Sequence, residues 1–214
     1  MSYTWIFDLD NTLHNADHGI FPSLDRAMTQ YIMHELGLDE TEAQTLRLRY
    51  YQRYGATVRG MLRHHGTPPE HFLHATHRVD ELIPLMQWDR RVNDILARLP
   101  GNKILLSNGP QNYIESITRQ MAIQRHFSAL YGVEKVNYQP KPHRKPFLIV
   151  CARHRLDPAR CIMVEDSLAN LRTAKSLGMR TVWLTRQARR PACVDARIRS
   201  IRELPSLLDK LHIK

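Results

Sequence analysis

Cysteine is scarce in this chain. Its 214 residues hold three, Cys151, Cys161 and Cys193, an odd number without a CxxC spacing. Reduced thiols in a cytoplasmic protein are the expectation. Long apolar runs are missing as well, so no membrane span is expected. Met1 to Phe7 lacks a basic region followed by a long apolar stretch, so a secretory leader is not expected either. Internal repeats and low-complexity segments are absent. Acidic residues are outnumbered, 21 Asp and Glu against 31 Lys and Arg, for a formal net charge of +10. The basic residues are spread along the chain, densest from Arg186 to Arg202, and do not alternate with aromatics that could stack on bases. That pattern argues against a polynucleotide groove and leaves an attraction for anions, phosphorylated small molecules among them. Hydrophobic residues make up 43% of the chain, enough for a sizeable core and against disorder.

Five short apolar runs read as strands: Tyr3 to Phe7, Lys103 to Ser107, Ala129 to Val133, Cys161 to Val164 and Thr181 to Leu184. Their nearly continuous apolar character suits strands covered on both faces. Helical spacing separates them, in Ile114, Ile117, Thr118 and Met121, in Phe147, Val150, Cys151 and His154, and in Leu168, Leu171 and Ala174. Ser167 is placed to cap the last of these and Gly178 to close it. Alternation of this kind predicts parallel βαβ units, hence an α/β fold with a Rossmann-like parallel sheet core. Between Asn15 and Trp88 the alternation stops. Four helical stripes take its place: Leu24 to Tyr31 closed by Gly37, a second opened by Asp39 and Glu42 and running to Gly55, a third at Val58 to Leu62, and a fourth at Phe72 to Val79. The domain expectation is a core of residues 1–14 and 89–214, with a helical cap of residues 15–88 inserted after the first strand.

Four polar clusters fall at or just beyond the predicted strand ends, where open parallel sheets bind ligands. They are Asp8-Leu9-Asp10-Asn11-Thr12, Ser107-Asn108-Gly109, Lys141-Pro142 and Glu165-Asp166. A carboxylate can attack phosphorus, and a second one nearby can protonate the leaving group and then activate water. Magnesium takes oxygen ligands, commonly one or two carboxylates with water and phosphate, and Asp8 with Asp166 suits it. The Ser107 hydroxyl and the amides of Asn108 and Gly109 can bind phosphoryl oxygens, and a lysine can offset their charge. Each feature also has a plain structural reading. Asp-Leu-Asp-Asn can be a turn, Ser107 a helix cap, Glu165-Asp166 a helix N-terminus, and Lys141 or its competitor Lys145 a solvated surface lysine.

These four clusters, in this order, resemble the motifs of the haloacid dehalogenase superfamily of phosphatases. The resemblance runs over nearly the whole chain, from Phe7-Asp8-Leu9-Asp10-Asn11-Thr12-Leu13 through Leu106-Ser107-Asn108-Gly109 and Lys141-Pro142 to Val164-Glu165-Asp166-Ser167. It selects Lys141 over Lys145 by the spacing to Phe147. It implies Asp8 as nucleophile and Asp10 as general acid and base. Mg²⁺ would be held by Asp8, by Asp166 and by Asp10 through its backbone carbonyl, with Glu165 nearby. Ser107 and Lys141 would hold the phosphoryl group, helped by Asn108 and Gly109. The cap segment Tyr50 to Met61 is similar to the pyrimidine 5′-nucleotidase branch. That likeness implies a nucleoside monophosphate substrate, UMP or CMP, with Tyr54 and Arg59 as specificity residues; the alternative is that these tyrosines pack the cap core. His14 departs from the tyrosine that many members carry there. Rival activities are a broad phosphatase for sugar phosphates or phosphoglycolate, and a phosphomutase. Outside the enzymes, the rival is a nucleic-acid-binding protein with a degenerate phosphatase fold, against which the intact Asp8, Asp10, Lys141 and Asp166 set argues.

Overall fold

The computed structural model describes residues 3–208. The chain divides into two compact units, Ala16–Gln87 and the remainder.

The unit Ala16–Gln87 is helical among its described residues. Its helices are α1 (Ile20–Leu36), α2 (Glu40–Tyr54), α3 (Thr57–His65), α4 (Pro69–Thr76) and the single turn α5 (Val79–Leu82). Local chemistry sets the boundaries. Gly37 ends α1 at φ 66° and its amide donates to the Met33 carbonyl, a left-handed closure that glycine adopts without steric cost. Asp39 then opens α2 with a reciprocal capping box: Glu42 N donates to Asp39 Oδ1 (2.9 Å) and Asp39 N to Glu42 Oε2 (3.1 Å). The fourth stripe is shorter than its spacing suggests. The chain leaves α4 at His77, and Val79 starts α5 instead. Tyr31 meets Phe72 edge-on at 5.0 Å in the interior, and Tyr50 is buried against α3.

The other unit holds a six-stranded, wholly parallel sheet: β1 (Thr4–Phe7), β2 (Asn102–Leu106), β3 (Ala129–Tyr131), β4 (Cys161–Glu165), β5 (Arg180–Leu184) and β6 (Ala196–Ile198). Among the described residues four α-helices accompany it: α6 (Val92–Arg98), α7 (Gln111–Gln120), α8 (Arg144–His154) and α9 (Leu168–Ser176). The strand order is β3-β2-β1-β4-β5-β6, the order of a doubly wound sheet, whose crevice opens where the winding reverses, between β1 and β4. Every residue of β1 and β4 is buried, as the continuous apolar runs require for a sheet covered on both faces. Pairing of Phe7 with both Leu105 and Val164 puts Asp8, Leu106 and Glu165 abreast one residue on.

The α/β fold with its parallel sheet is as the sequence indicates. Two strands differ. β6 is three residues long and too brief to show a period. β3 stops at Tyr131 because the next amides turn to other partners, Gly132 N to Gln111 Oε1 (2.8 Å) and Val133 N to the Gly109 carbonyl (3.0 Å). Ser167 stands at the N-cap of α9 but its hydroxyl makes no capping bond.

Gly60 supplies a test in which two rules oppose each other. Helix propensity alone favours alanine over glycine inside α3 by about 1 kcal/mol. A Cβ at Gly60 would, however, sit 2.1 Å from Cγ of the buried Tyr50 ring. Overpacking of that kind costs about 1–3 kcal/mol. Gly60→Ala should therefore lower the urea midpoint, and a midpoint equal to or above wild type would show that Tyr50 is not locked against α3.

Candidate active site

The site begins with the loop that leaves β1. Asp8 N continues the ladder to the Val164 carbonyl (3.0 Å), so its backbone is held by the sheet. The chain then turns tightly: the amides of Thr12 and Leu13 both donate to the Leu9 carbonyl, and Asn11 sits at φ 60°, a conformation asparagine tolerates better than most residues. Asp-Leu-Asp-Asn is therefore a turn, and one that leaves both carboxylates at the end of β1. The turn buries Leu9 and directs Thr12 Oγ1 back to Asp8 Oδ2 (3.2 Å). It also brings Asp10 and His14 into a β-bridge, with His14 Nε2 3.0 Å from Asp10 Oδ1.

The β2 end supplies Ser107, Asn108 and Gly109. Ser107 is buried and its amide extends the sheet to the Tyr131 carbonyl. It does not cap α7, which opens after Pro110. Its Oγ accepts from Gly109 N (3.0 Å) and lies 3.4 Å from Asp10 Oδ2. Asn108 makes a reciprocal clamp on another part of the chain. Its Nδ2 donates to the Lys141 carbonyl (3.0 Å) while its Oδ1 accepts from Lys141 N (2.8 Å).

Lys141, not Lys145, enters the site. Lys145 is exposed, whereas Lys141 is buried with Nζ 2.6 Å from Asp8 Oδ1 and 2.9 Å from Glu165 Oε2. Glu165 is also buried. Its Oε1 accepts from Asn170 Nδ2 (2.7 Å) and lies 3.4 Å from Ser167 N. Asp166 follows at the β4 end, its carbonyl accepting from Trp183 Nε1 (2.7 Å).

Charge is unbalanced here. Four carboxylates, Asp8, Asp10, Glu165 and Asp166, surround the single ammonium of Lys141. Burial pushes Glu165 up to about 8, reinforced by the Asp8 charge and opposed by Lys141. Burial, again with the Asp8 charge, pushes Asp166 up to about 6. Asp8 is raised too, by burial, against the pull of Lys141. Lys141 goes the other way from an isolated buried lysine: burial alone would lower it, and Asp8 and Glu165 raise it, so it stays charged. Asp10 is the exception among the acids. Burial would raise it, but the His14 and Tyr113 hydrogen bonds hold it below its usual value. Carboxylate oxygens of Asp8, Glu165 and Asp166 lie within 4.8 Å of one another. Hard oxygen donors in surplus negative charge fit a divalent cation such as Mg²⁺.

The site residues taken from the core motifs are therefore neighbours. Tyr54 and Arg59 lie in the helical unit Ala16–Gln87. Tyr54 is half-buried there, its hydroxyl 2.6 Å from His64 Nε2, and the guanidiniums of Arg53 and Arg63 stack over its ring. Tyr50 belongs to the interior of the same unit. Sequence reasoning missed four contributors: the Asn108 clamp, Asn170, Tyr113 and His14. Tyr113 Oη donates to Asp10 Oδ1 (2.5 Å). Tyr113 and Asn170 sit at helical spacings that also suit a core, so their signal was not separable. His14 stood out only as a departure from tyrosine.

The sequence model of haloacid dehalogenase-like hydrolases matches residues 4–178. Among curated proteins, the chain is 25% identical over 194 residues to Phosphate metabolism protein 8 of Saccharomyces cerevisiae, covering 82% of this chain but 59% of that protein. It is 25% identical over 213 residues to a phosphoglycolate phosphatase of Salmonella paratyphi A, covering 84% of this chain and 79% of that one. Among solved structures, a HAD phosphatase from Thermococcus onnurineus superposes with a TM-score of 0.70 at 23% identity, over 97% of this chain and 98% of that chain. An L-2-haloacid dehalogenase from Xanthobacter autotrophicus shares the fold at a TM-score of 0.63 and 15% identity, over 98% and 99% of the two chains. No helix among the described residues is long and apolar enough to cross a membrane.

A cation in this cluster should reveal itself in stability against pH. The ordinary values of Glu165 and Asp166 are 4.5 and 3.8, and both are raised on folding. Between about pH 4 and 8 these two groups then hold more protons in the metal-free folded state than in the unfolded chain, so their contribution to stability falls as pH rises. Mg²⁺ relieves that repulsion most where the carboxylates must ionise. The rise in Tm on adding millimolar Mg²⁺ should thus be larger at pH 8 than at pH 5. His65 and His126, lowered by burial, titrate in the opposite sense but contribute to both curves and cancel in the difference. Equal increments at the two pH values would remove the cation from this cluster.

Proposed function

The chain belongs to the haloacid dehalogenase-like hydrolase family, and we propose that it is a phosphomonoesterase of that family with Asp8 as the nucleophile. The carrying observation is the pairing of two carboxylates at the β1 exit that are held differently. Asp8 is held by the Lys141 ammonium and the Thr12 hydroxyl, Asp10 by His14 and Tyr113. Asp8 attacks phosphorus while Asp10 gives a proton to the departing alkoxide. Asp10 then takes a proton from the water that opens the aspartyl phosphate, which returns Asp8 and releases inorganic phosphate. Halide departure needs no such proton, so Asp10 favours phosphoryl over dehalogenase chemistry.

Lys141 favours the ionised form of Asp8 against the burial that raises it, and offsets the negative charge of the phosphoryl group. The Ser107 hydroxyl and the Asn108 amide are donors for phosphoryl oxygens, and the Gly109 amide holds Ser107 Oγ in place. Mg²⁺, held by the Asp8 and Asp166 carboxylates and the Asp10 carbonyl, would draw charge from the phosphoryl oxygens. Glu165 has its oxygens engaged by Lys141 and Asn170, so its part is to fix the lysine.

For the substrate, the cap segment with Tyr54 and Arg59 supports a nucleoside monophosphate, UMP or CMP. A second reading, a short phosphorylated acid such as phosphoglycolate, is favoured by the names of the Salmonella relatives. In both cases the phosphate end is bound by the same residues, and only the remainder of the substrate differs.

Two measurements test these readings. Asp8→Asn should fold normally and lose phosphatase turnover by on the order of a thousandfold or more, because an amide is a poor nucleophile toward phosphorus. Near-normal turnover in clean Asp8→Asn protein would end the proposal. Across UMP, CMP, AMP, GMP, phosphoglycolate and a few sugar phosphates, the nucleotide reading expects the pyrimidines to lead in kcat/KM and Arg59→Ala to erode that lead. A lead of tenfold or more for phosphoglycolate, about 1.4 kcal/mol in transition-state binding, replaces it with the second reading.

A further inference from the structure

We infer that His14 and Tyr113 are positioning residues that hold Asp10 by one oxygen, Oδ1, so that the other, Oδ2, is the one that carries the transferred proton. The inference rests on the phosphomonoesterase reading above and adds to it the identity of the oxygen and of the groups that select it. Asp10 Oδ1 accepts from Tyr113 Oη at 2.5 Å and from His14 Nε2 at 3.0 Å. Two donors use the two lone pairs of that oxygen. A proton arriving on the carboxylate must then sit on Oδ2. Oδ2 is also the oxygen near Ser107 Oγ, at 3.4 Å, the hydroxyl assigned to the phosphoryl group.

Both donors are built into rigid surroundings. Tyr113 is 1% exposed, in the first turn of α7, with its ring packed so closely on Gly109 that a Cβ there would lie 2.7 Å from Cδ1. His14 is 4% exposed and pairs its backbone with Asp10 in the bridge. The histidine also shows which of its nitrogens matters. Nε2 faces an acceptor and so carries a hydrogen, while Nδ1 is buried with no hydrogen-bond partner. Leaving a buried nitrogen unpaired is unfavourable. Mere filling of the space would be served better by an apolar side chain, so the ring is there for its Nε2 contact with Asp10.

Asp8 forms a bond to phosphorus. The bond to the leaving oxygen breaks with its electron pair, and that oxygen takes the proton from Asp10 Oδ2. Water then attacks the aspartyl phosphate, its proton returns to Oδ2, and the bond from phosphorus to Asp8 breaks.

The test compares Tyr113→Phe, His14→Leu and His14→Gln with wild type in saturating Mg²⁺, after matching thermal melts establish folding. Tyr113→Phe keeps the packed ring, and His14→Gln keeps a donor at the position of Nε2. The substrates are glycerol 2-phosphate, whose alkoxide needs a proton to leave, and 2,4-dinitrophenyl phosphate, whose phenolate does not. For Tyr113→Phe and His14→Leu, kcat/KM on the glycerol ester should fall at least about tenfold further than on the dinitrophenyl ester. Rapid quench with the dinitrophenyl ester should show phosphoenzyme accumulating, because attack by Asp8 survives while activation of water does not. His14→Gln should recover most of the loss. Equal losses on the two esters without accumulated phosphoenzyme, or no loss at all, would overturn the inference. Failure of His14→Gln to recover while His14→Leu stays folded would remove His14 from it. Failure of the wild type to hydrolyse either ester would instead remove the phosphomonoesterase reading itself.

Discussion

The site depends on one buried interaction, the Lys141 ammonium held between Asp8 and Glu165. An ammonium taken out of water is costly unless its partners are close and well aligned, and removal of one partner from such a pair costs about 3–5 kcal/mol. The surrounding structure is arranged to keep all three in place. Asn108 grips the backbone of Lys141 at both its amide and its carbonyl, and Asn170 holds the far oxygen of Glu165. Sheet hydrogen bonding sets Asp8 beside Val164, so the strands themselves space the two acids.

Around that ion pair, the same burial acts differently on each carboxylate. Asp8, Glu165 and Asp166 share a crowded corner in which one ammonium cannot offset their charge, and each is pushed up. Asp10, two residues from Asp8, is held below its ordinary value because its partners are hydrogen-bond donors. Environment, not residue type, thus shifts Asp8 and Asp10 in opposite directions although only two residues separate them.

The turn after β1 links the fold to this chemistry. Asn11 in a left-handed conformation allows the chain to double back, so that Thr12 returns to Asp8 and His14 returns to Asp10. The turn lies beside the point where the winding of the sheet reverses, between β1 and β4, the place where doubly wound sheets bind ligands.

Much was legible along the chain. Apolar runs of strand length, the helical stripes between them and the capping box at Asp39 follow from local periodicity and local hydrogen bonding, and these forecast the parallel α/β fold. Asp8, Asp10, Ser107 and Asp166 stood out at or just beyond the predicted strand ends, whereas Lys141 was separated from Lys145 only by the family resemblance. Other features needed the third dimension. The three-residue β6 owes its existence to its neighbour β5, not to its own pattern. Ser107 was as good a cap as a ligand until α7 opened after Pro110. The lysine paired with Asp8 lies 133 residues away in sequence, and the tyrosine bonded to Asp10 lies 103 away. Composition and spacing determined which kinds of group this protein carries and which segments end in them. Only tertiary packing decided which groups meet, because burial and hydrogen bonding between distant residues act through space and leave no period along the chain.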